Sequence, residues 1–221
     1  ETFYYEVYNR DNVELVDIKE TPIERITPEG IRTTEKDYAF DIIIYATGFD
    51  AITGSFDKID FRGAHGARLK EKWTHGPETY LGLMVDGFPN MMMLMGPHTA
   101  LGNIPRSIEY NVDWVTGLVR HMRERGLTRA DATLEAEQRW TAHVVKMYEI
   151  MLMRKAKSWF TGYNSNVAGH EEGTVRYFVY NGGTPKFLGI INGVAAGGYQ
   201  EIAFGGGSQR NVQGAAVGTS A

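Results

Sequence analysis

The stretch Asp41-Ile-Ile-Ile-Tyr-Ala-Thr-Gly-Phe-Asp50 decides the fold of this chain. Its continuous run of β-branched residues is typical of a strand buried on both faces, as the strands of parallel sheets are. The run ends abruptly in small residues, which mark a point where a ligand or a packed helix approaches the backbone closely. We therefore predict an α/β fold in which this strand leads directly into a site of close approach.

Further elements follow downstream of this strand. Phe88 to Met95 predicts a second buried strand, and Trp73 and Tyr80 are expected to anchor the loop-rich stretch before it. Asn103-Ile104-Pro105 is typical of a helix start, because Asn caps a first turn and Pro is tolerated there. The apolar face predicted for this helix consists of Ile108, Val112, Val115, Val119 and Met122. Other predicted elements are strands at 13–18, 174–180 and 200–204, a turn at 27–30, and helices at 133–156 and 185–196.

Composition and charge exclude several classes of protein. The 221 residues are 43% hydrophobic and 23% charged, which is typical of a globular chain with a core. The 23 Lys and Arg are interspersed with 27 Asp and Glu, leaving a net charge of −4. Without a basic stripe to neutralise phosphates, nucleic acid is not an expected partner. The absence of cysteine excludes disulfides, thiolate metal sites and cysteine nucleophiles.

The sequence gives no sign of a membrane segment or a secretory signal. The longest apolar stretches, such as Met91 to Met95, are far too short to span a bilayer. The first residues lack a basic region followed by an apolar run. We therefore expect no membrane association and a cytoplasmic location.

Motifs for a complete active site are missing from this chain. It contains neither G-x-G-x-x-G nor a phosphate loop, and its six histidines show no metal-binding spacing. Ser107 lacks the G-x-S-x-G context of a nucleophile. We therefore predict no metal site and no catalytic residue, so that the chain is either a binding module or part of something larger.

Three segments carry a family resemblance. Asp41 to Gly54 resembles the "ATG" segment of class B flavoprotein monooxygenases. Gly87 to Pro97, continuing into Asn103 to Glu109, resembles the following strand, flavin-side loop and helix of the FAD domain. Ser158 to Gly162 and Tyr180 to Gly183 resemble the C-terminal lobe of Baeyer–Villiger monooxygenases of the cyclohexanone and phenylacetone type. Together the segments make nearly the whole chain, from about Tyr4 to Phe204, similar to the C-terminal half of such an enzyme.

This resemblance implies a fold and a division into domains. The fold would be the C-terminal part of an FAD domain, with a helical and small β lobe, from a flavoprotein with two dinucleotide-binding domains. Both glycine-rich motifs would lie in a missing N-terminal half. The implied divisions are the end of the NADPH domain and return linker at 1–40, the FAD-domain part with its helical pair at 41–157, the C-terminal lobe and active-site loop at 158–204, and a disordered tail at 205–221.

The resemblance also implies an activity with two cofactors. Enzymes of this family use FAD and NADPH to insert one oxygen atom of O₂ next to a ketone carbonyl, giving an ester or lactone. The implied partners are therefore a ketone, O₂ and the missing N-terminal half, without which the chain would be inactive. Two alternatives remain open: an N- or S-oxygenating flavoprotein, and a stand-alone α/β binding domain, which would leave open sheet edges.

Site residues follow from the resemblance position by position. The cofactor-binding positions implied are Thr47, Gly48, Phe49, Asn103, Ile104 and Trp159. The ketone-pocket positions implied are Leu101, Ile104 and Phe160. The helix start at Asn103 suits the negative edge of reduced flavin, because a helix N-terminus offers unpaired N–H groups. The indole N–H of Trp159 suits a ribose hydroxyl of the nicotinamide nucleotide.

Six of these eight positions also have a plain structural interpretation. Asn103 is explained by ordinary helix capping, and Leu101 and Ile104 by packing. Thr47 and Gly48 are explained by a strand-to-loop turn, and Trp159 by a core position beside Phe160. These alternatives stay open at the level of sequence.

One loop departs from the family pattern. Many relatives have a short G-x-N-x-P-G-K stretch after the tryptophan, whereas Gly162 to His170 is longer and lacks the Pro and Lys. His170 therefore puts the role of that lysine in doubt. The altered loop resembles family members that act on bulky or large-ring ketones.

Overall fold

The computed structural model describes residues 2–48, 50–100, 102–165, 167–170, 176 and 179–206. Within them the chain forms two compact units, Glu1–Phe49 and Asp50–Ala221. Helices and small sheets alternate along the chain, so the predicted α/β class is confirmed. The predicted domain boundaries stay predictions.

The first unit is built on a three-stranded antiparallel sheet with the order β1-β2-β3. Its strands are β1 (Ile23–Thr27), β2 (Gly30–Thr33) and β3 (Asp37–Ala39). Gly30 closes the predicted turn by donating its N–H to Thr27 Oγ1 at 3.0 Å. A Cβ at Gly30 would lie 1.9 Å from the carbonyl oxygen of Tyr38, so only glycine fits there. The strand predicted at 13–18 is wrong, because those residues form no ladder.

The stretch at 41–50 does not form the strand that its sequence predicts. Residues 41–48 form no strand, and the side chains of Ile42, Ile44 and Tyr45 are 79%, 85% and 69% exposed. A strand of this composition becomes buried only when neighbouring strands pair with both edges and helices cover both faces. The described residues provide no such neighbours, and the prediction of a buried strand at 41–45 is therefore wrong for this chain.

The second predicted strand is also absent. Residues 88–95 are irregular, although Phe88 and Met93 are buried in a small apolar cluster with Trp73. The backbone of this segment bonds to a neighbouring loop and to a strand: the N–H of Met93 donates to Leu83 O and that of Asn90 to Ala130 O, both at 2.8 Å. Trp73 and Tyr80 are each 2% exposed, so their predicted anchoring role is confirmed.

Helices dominate the second unit. The three long ones are α3 (Ile104–Glu124), α4 (Leu134–Glu149) and α5 (Thr184–Ala196), which follow two single-turn helices, α1 (Gly54–Asp57) and α2 (Leu69–Lys72). Strands β4 (Arg129–Ala132) and β5 (Ile202–Gly205) pair in antiparallel fashion beside them. The predicted starts of α3 and α5 are confirmed to within a residue. Helix α4 ends at Glu149, earlier than predicted, and a 3₁₀ turn follows at Leu152–Lys155.

The buried face of α3 agrees with the predicted one only in part: Met122 is buried and Val115 packs against the core, as predicted. Ser107, Asn111, Trp114, Leu118 and Met122 are buried, whereas Val112 and Val119 are each 37% exposed. Two side-chain donors on this face find acceptors across the interface. Asn111 donates to Leu94 O at 2.8 Å, and Trp114 Nε1 donates to Ile191 O at 3.0 Å. The second bond ties α3 directly to α5.

Two further findings concern the ends of elements and membrane association. Gly205, assigned to a disordered tail by sequence, belongs to β5, and residues 207–221 lie outside the described part. Four of the seven residues of the strand predicted at 174–180 also lie outside it. No helix within the described ranges combines the length and hydropathy that a bilayer span requires.

Candidate cofactor site

The start of α3 is capped and open to solvent. Asn103 Oδ1 accepts the N–H of Arg106 at 3.2 Å, and proline occupies the first turn. Residues 103–106 are exposed, and the first turn carries no acidic side chain. A helix start of this kind offers unpaired N–H groups and partial positive charge to an anionic or electron-rich ligand.

A second helix start lies beside the first. A Cβ built on Gly102 would come within 3.6 Å of Thr184 Oγ1, at the beginning of α5. Four residues before Thr184, the N–H of Tyr180 donates to Thr99 O at 3.0 Å, and Tyr180 pairs with Ala100 in a parallel bridge. Helix α5 begins without a side-chain cap or an acidic residue in its first turn. Two helix N-termini therefore converge on one surface, which strengthens its attraction for negative charge.

The start of α5 is a site feature that sequence reasoning missed. The signal was present, since proline in the first turn after a pair of glycines is typical of a helix start. What the sequence could not supply was its position beside Gly102, which depends on the packing of α5 against α3.

The tryptophan turn, residues Ser158–Gly162, forms the other part of the candidate site. Ser158 Oγ accepts the N–H of Phe160 at 3.3 Å, and Thr161 Oγ1 donates to Ser158 O at 2.7 Å. Trp159 is 45% exposed and stacks on Phe160 with ring centroids 3.7 Å apart. Its interpretation as a core tryptophan is therefore wrong. Phe160 is half-buried, and its carbonyl oxygen accepts the hydroxyl of Tyr148 at 2.7 Å.

Arg176 fixes this turn to the body of the unit, and sequence reasoning did not find it. Its backbone N–H donates to Thr161 O at 2.7 Å, and its guanidinium donates to Trp73 O at 2.5 Å. The same guanidinium contacts His170 Nε2. Burial lowers the pKa of Arg176, against the attraction of Asp57 and Asp50. His170 is itself buried, so in this structure it contributes to the packing of the loop.

The remaining predicted positions are distributed as follows. Thr47 and Gly48 are exposed in the first unit, and Gly48 adopts a left-handed φ of +79° with open space around its α-carbon. Phe49 and Leu101 lie outside the described residues. Asn103 and Ile104 belong to the paired helix starts, where Ile104 is 49% exposed, and Trp159 and Phe160 belong to the tryptophan turn.

The variant Asn103→Ala is expected to show that Asn103 supports cofactor binding in addition to capping α3. Loss of the cap should lower the free energy of unfolding by about 1 kcal/mol, measured by urea denaturation. Thr133→Ala is a matched control, since Thr133 Oγ1 caps α4 by accepting the N–H of Ala136 at 3.3 Å. Both variants should lose similar stability, but only Asn103→Ala should weaken flavin retention in an assembled enzyme. Equal flavin retention in the two variants would contradict a role of Asn103 at the cofactor.

Comparison with known proteins shows which proteins this chain is similar to. No protein-family model matches the chain. It is 42% identical over 203 residues to 2-oxo-Δ³-4,5,5-trimethylcyclopentenylacetyl-CoA monooxygenase of Pseudomonas putida, which covers 90% of the chain and 36% of that protein. Cyclohexanone 1,2-monooxygenase of Acinetobacter sp. is 39% identical over 185 residues, with coverage of 83% and 33%. Phenazine N-monooxygenase PhzNO1 of Lysobacter antibioticus is 35% identical over 198 residues, with coverage of 89% and 36%.

A solved structure agrees with these relatives. The crystal structure of OTEMO in complex with FAD and NADP superimposes with a TM-score of 0.81 at 41% identity, covering 93% of this chain and 37% of that one. The fold is thus that of part of a flavoprotein with dinucleotide-binding domains. The chain is therefore similar to Baeyer–Villiger monooxygenases over most of its own length. It spans about a third of the length of the relatives it matches.

Proposed function

We propose that this chain is the C-terminal part of a cytoplasmic, FAD- and NADPH-dependent Baeyer–Villiger monooxygenase, with the domain divisions given above. The enzyme would insert one oxygen atom of O₂ next to a ketone carbonyl and so form an ester or lactone. The observation that carries this proposal is the convergence of two acid-free helix N-termini at Gly102 and Thr184, in a chain related to flavoprotein oxygenases.

The paired helix starts fit the electron-rich edge of a flavin. Reduced flavin carries negative charge near N1 and the C2 carbonyl oxygen, and the first turns of α3 and α5 present N–H donors without competing carboxylates. Asn103 would hold the first turn of α3 in place, and Thr47, Gly48 and Phe49 would bring backbone close to the cofactors. FAD, when bound, supplies the redox and oxygen chemistry. A helix start contributes about 0.3–1 kcal/mol to such a contact, enough to bias the cofactor's charge state.

The tryptophan turn fits a nucleotide and a substrate. Trp159 leaves its indole accessible, and its stacking on Phe160 holds the ring in one orientation. Its N–H would donate to a ribose hydroxyl of NADPH. Leu101, Ile104 and Phe160 would line the ketone pocket and exclude water from it. The long loop before His170 supports a bulky or large-ring ketone as the substrate.

The rest of the enzyme would cover apolar surfaces that this chain leaves open. Ile42, Ile44 and Tyr45 are exposed in the first unit. Ile150 and Leu152, which precede the tryptophan turn, are 84% and 83% exposed in the second. Exposed apolar groups of this size mark interaction surfaces, and the relatives' additional two thirds of sequence would supply the partner.

Reconstitution tests the proposed function. The chain would be produced alone, and also together with the part of Acinetobacter cyclohexanone monooxygenase that it does not match. We expect no flavin absorption band with the chain alone. The reconstituted pair should show a flavin band, ketone-dependent NADPH oxidation and a lactone product. Flavin bound by the chain alone, or a flavin-loaded pair that oxidises no ketone, would contradict the proposal.

A second candidate reaction is N-oxygenation, favoured by the similarity to phenazine N-monooxygenase. The same reconstituted enzyme separates the two reactions. Mass spectrometry would show oxygen added to a ketone in one case and to a nitrogen heterocycle in the other. Turnover of the heterocycle alone would favour N-oxygenation.

Trp159→Phe tests the nucleotide contact. Because the indole is half-exposed, the substitution should change the free energy of unfolding by about 0.5 kcal/mol or less. In the reconstituted enzyme the KM for NADPH should rise several-fold, as the loss of one hydrogen bond of about 1 kcal/mol predicts. Trp114→Phe is the control, since its indole bonds within the core. It should lose stability and keep its KM for NADPH, and a rise in both variants would argue against a specific contact by Trp159.

A further inference from the structure

The tryptophan turn is bonded to the rest of the second unit at two neighbouring carbonyl oxygens. Tyr148, in the last turn of α4, donates its hydroxyl to Phe160 O at 2.7 Å. Arg176 donates its backbone N–H to Thr161 O, also at 2.7 Å. One donor precedes the turn in the sequence and the other follows it, so the residues of the turn do not set its position alone.

The side chain of Arg176 fixes the place from which the second bond is made. Arg176 is 6% exposed, and its guanidinium donates to Trp73 O at 2.5 Å and to Thr74 O at 3.2 Å. Trp73 is 2% exposed and packs in an apolar cluster with Leu69 and Phe88. A buried charge is costly unless it is hydrogen-bonded, so the guanidinium is held at these carbonyl oxygens. The backbone N–H of Arg176 is thereby kept at a fixed position beside a packed loop.

The orientation of Trp159 depends on the position of this turn. Trp159 is 45% exposed, and its described ring contact is the stacking on Phe160. Phe160 packs against the small cluster formed by Tyr148 and Val179. Thr161 is 3% exposed and donates its hydroxyl back to Ser158 O at 2.7 Å, which closes the turn around the tryptophan. A half-exposed indole has few contacts of its own, and it therefore follows the backbone that carries it.

We propose that Arg176 is a positioning residue for nucleotide binding. Its side chain holds the tryptophan turn so that the indole of Trp159 is presented to the nucleotide, which Arg176 itself does not touch. The inference rests on the proposed function, because the contact between Trp159 and NADPH is part of it. A residue that acts only through Trp159 weakens binding no more than loss of the indole N–H does. Its removal also has no further effect once that N–H is gone.

Binding of NADP⁺ to the flavin-loaded, reconstituted enzyme tests these two properties, with the Kd measured by titration of the flavin absorption. Arg176→Met should raise the Kd about 2–10-fold, and no more than Trp159→Phe does. Introduced together with Trp159→Phe, it should cause no additional rise. Arg176→Lys should give an intermediate Kd, because an ammonium group lacks the planar fork that reaches several acceptors. Arg129→Met is the matched control, since Arg129 pairs with Asp131 within β4, and it should keep the native Kd.

A second measurement uses the 221-residue chain alone and depends on neither flavin nor oxygenation. The four tryptophans give four indole N–H signals in a ¹⁵N spectrum, and Trp159→Phe identifies the one from Trp159. Arg176→Met and Arg176→Lys should both shift that signal, whereas Arg129→Met should not. Arg176→Lys keeps the test decisive if Arg176→Met fails to fold.

Three results would overturn the positioning role of Arg176. They are an unchanged Trp159 signal in the Arg176 variants, an unchanged Kd for NADP⁺, and a rise in Kd of equal size with and without Trp159→Phe. Failure of the proposed function has a different signature, namely a flavin-loaded enzyme that oxidises no ketone. In that case the Kd for NADP⁺ and the indole signal still decide the role of Arg176.

Discussion

Phe187→Ala is expected to lower the free energy of unfolding by about 3–5 kcal/mol. Phe187 is fully buried in α5 and lies at the centre of the main core. Its ring contacts those of Tyr110, Trp140 and Tyr180, with centroids 5.6–6.0 Å apart. Truncation leaves a cavity where three elements meet, and the rigid aromatic neighbours cannot collapse into it. Urea denaturation followed by circular dichroism measures the loss.

Two other phenylalanine variants serve as controls for this prediction. Phe187→Leu retains most of the volume and should cost about 1.5 kcal/mol or less. Phe40→Ala removes the same atoms from a side chain that is 48% exposed in the first unit, and should cost about 0.5 kcal/mol or less. If Phe187→Ala were as mild as Phe40→Ala, α5 would not be held by this core, and the placement of its N-terminus beside Gly102 would lose its support.

The stability of the chain is expected to fall as pH rises from about 4.5 to about 7. Glu137 lies on α4 with no exposed surface, and burial raises the pKa of its carboxyl to about 7 even though Lys72 Nζ lies 2.8 Å from Oε2. Its ordinary pKa is 4.5. Between these values the folded chain retains a proton that the unfolded chain has released, so the free energy of unfolding decreases with pH. A raised pKa of this size corresponds to a loss of up to about 3 kcal/mol, which is complete above pH 7.

Glu137→Gln isolates this effect. The difference in unfolding free energy between variant and native chain should shift in favour of the variant by up to about 3 kcal/mol between pH 5 and pH 8. Lys72 keeps Asp86 as a partner, with 3.5 Å between Nζ and Oδ2. Glu149→Gln, at the exposed end of the same helix, should retain the native pH profile. If the native and Glu137→Gln curves remained parallel over this range, the ionisation of Glu137 would not be linked to folding.

The elements that could be predicted from sequence are those fixed by nearby residues. Asn103 and Pro105 specify the start of α3, and the sequence around Pro185 specifies α5, because a first turn depends only on a few successive residues. The strand predicted at 41–45 depends on neighbouring strands that the described residues do not contain. This prediction failed because the burial of a strand depends on the elements around it, and the local sequence carries no information about them.

The sequence also predicted only part of the candidate site. Trp159 was found from its resemblance to the family, but its exposure and its stacking on Phe160 were not predictable. The inward position of Asn111 on α3 was missed because it depends on the carbonyl oxygen that Leu94 supplies. Arg176 was missed because its partners, the carbonyl oxygens of Trp73 and Thr74, lie about a hundred positions away in the sequence.

The open stretch around Ile42 and Ile44 favours self-association wherever it stays uncovered. It is short, apolar, rich in β-branched residues and free of proline, which are features of segments that seed cross-β aggregation. Until a partner covers it, it remains available to any other extended chain. In the enzyme proposed above, this surface would therefore have to be covered by the remaining sequence before self-association begins.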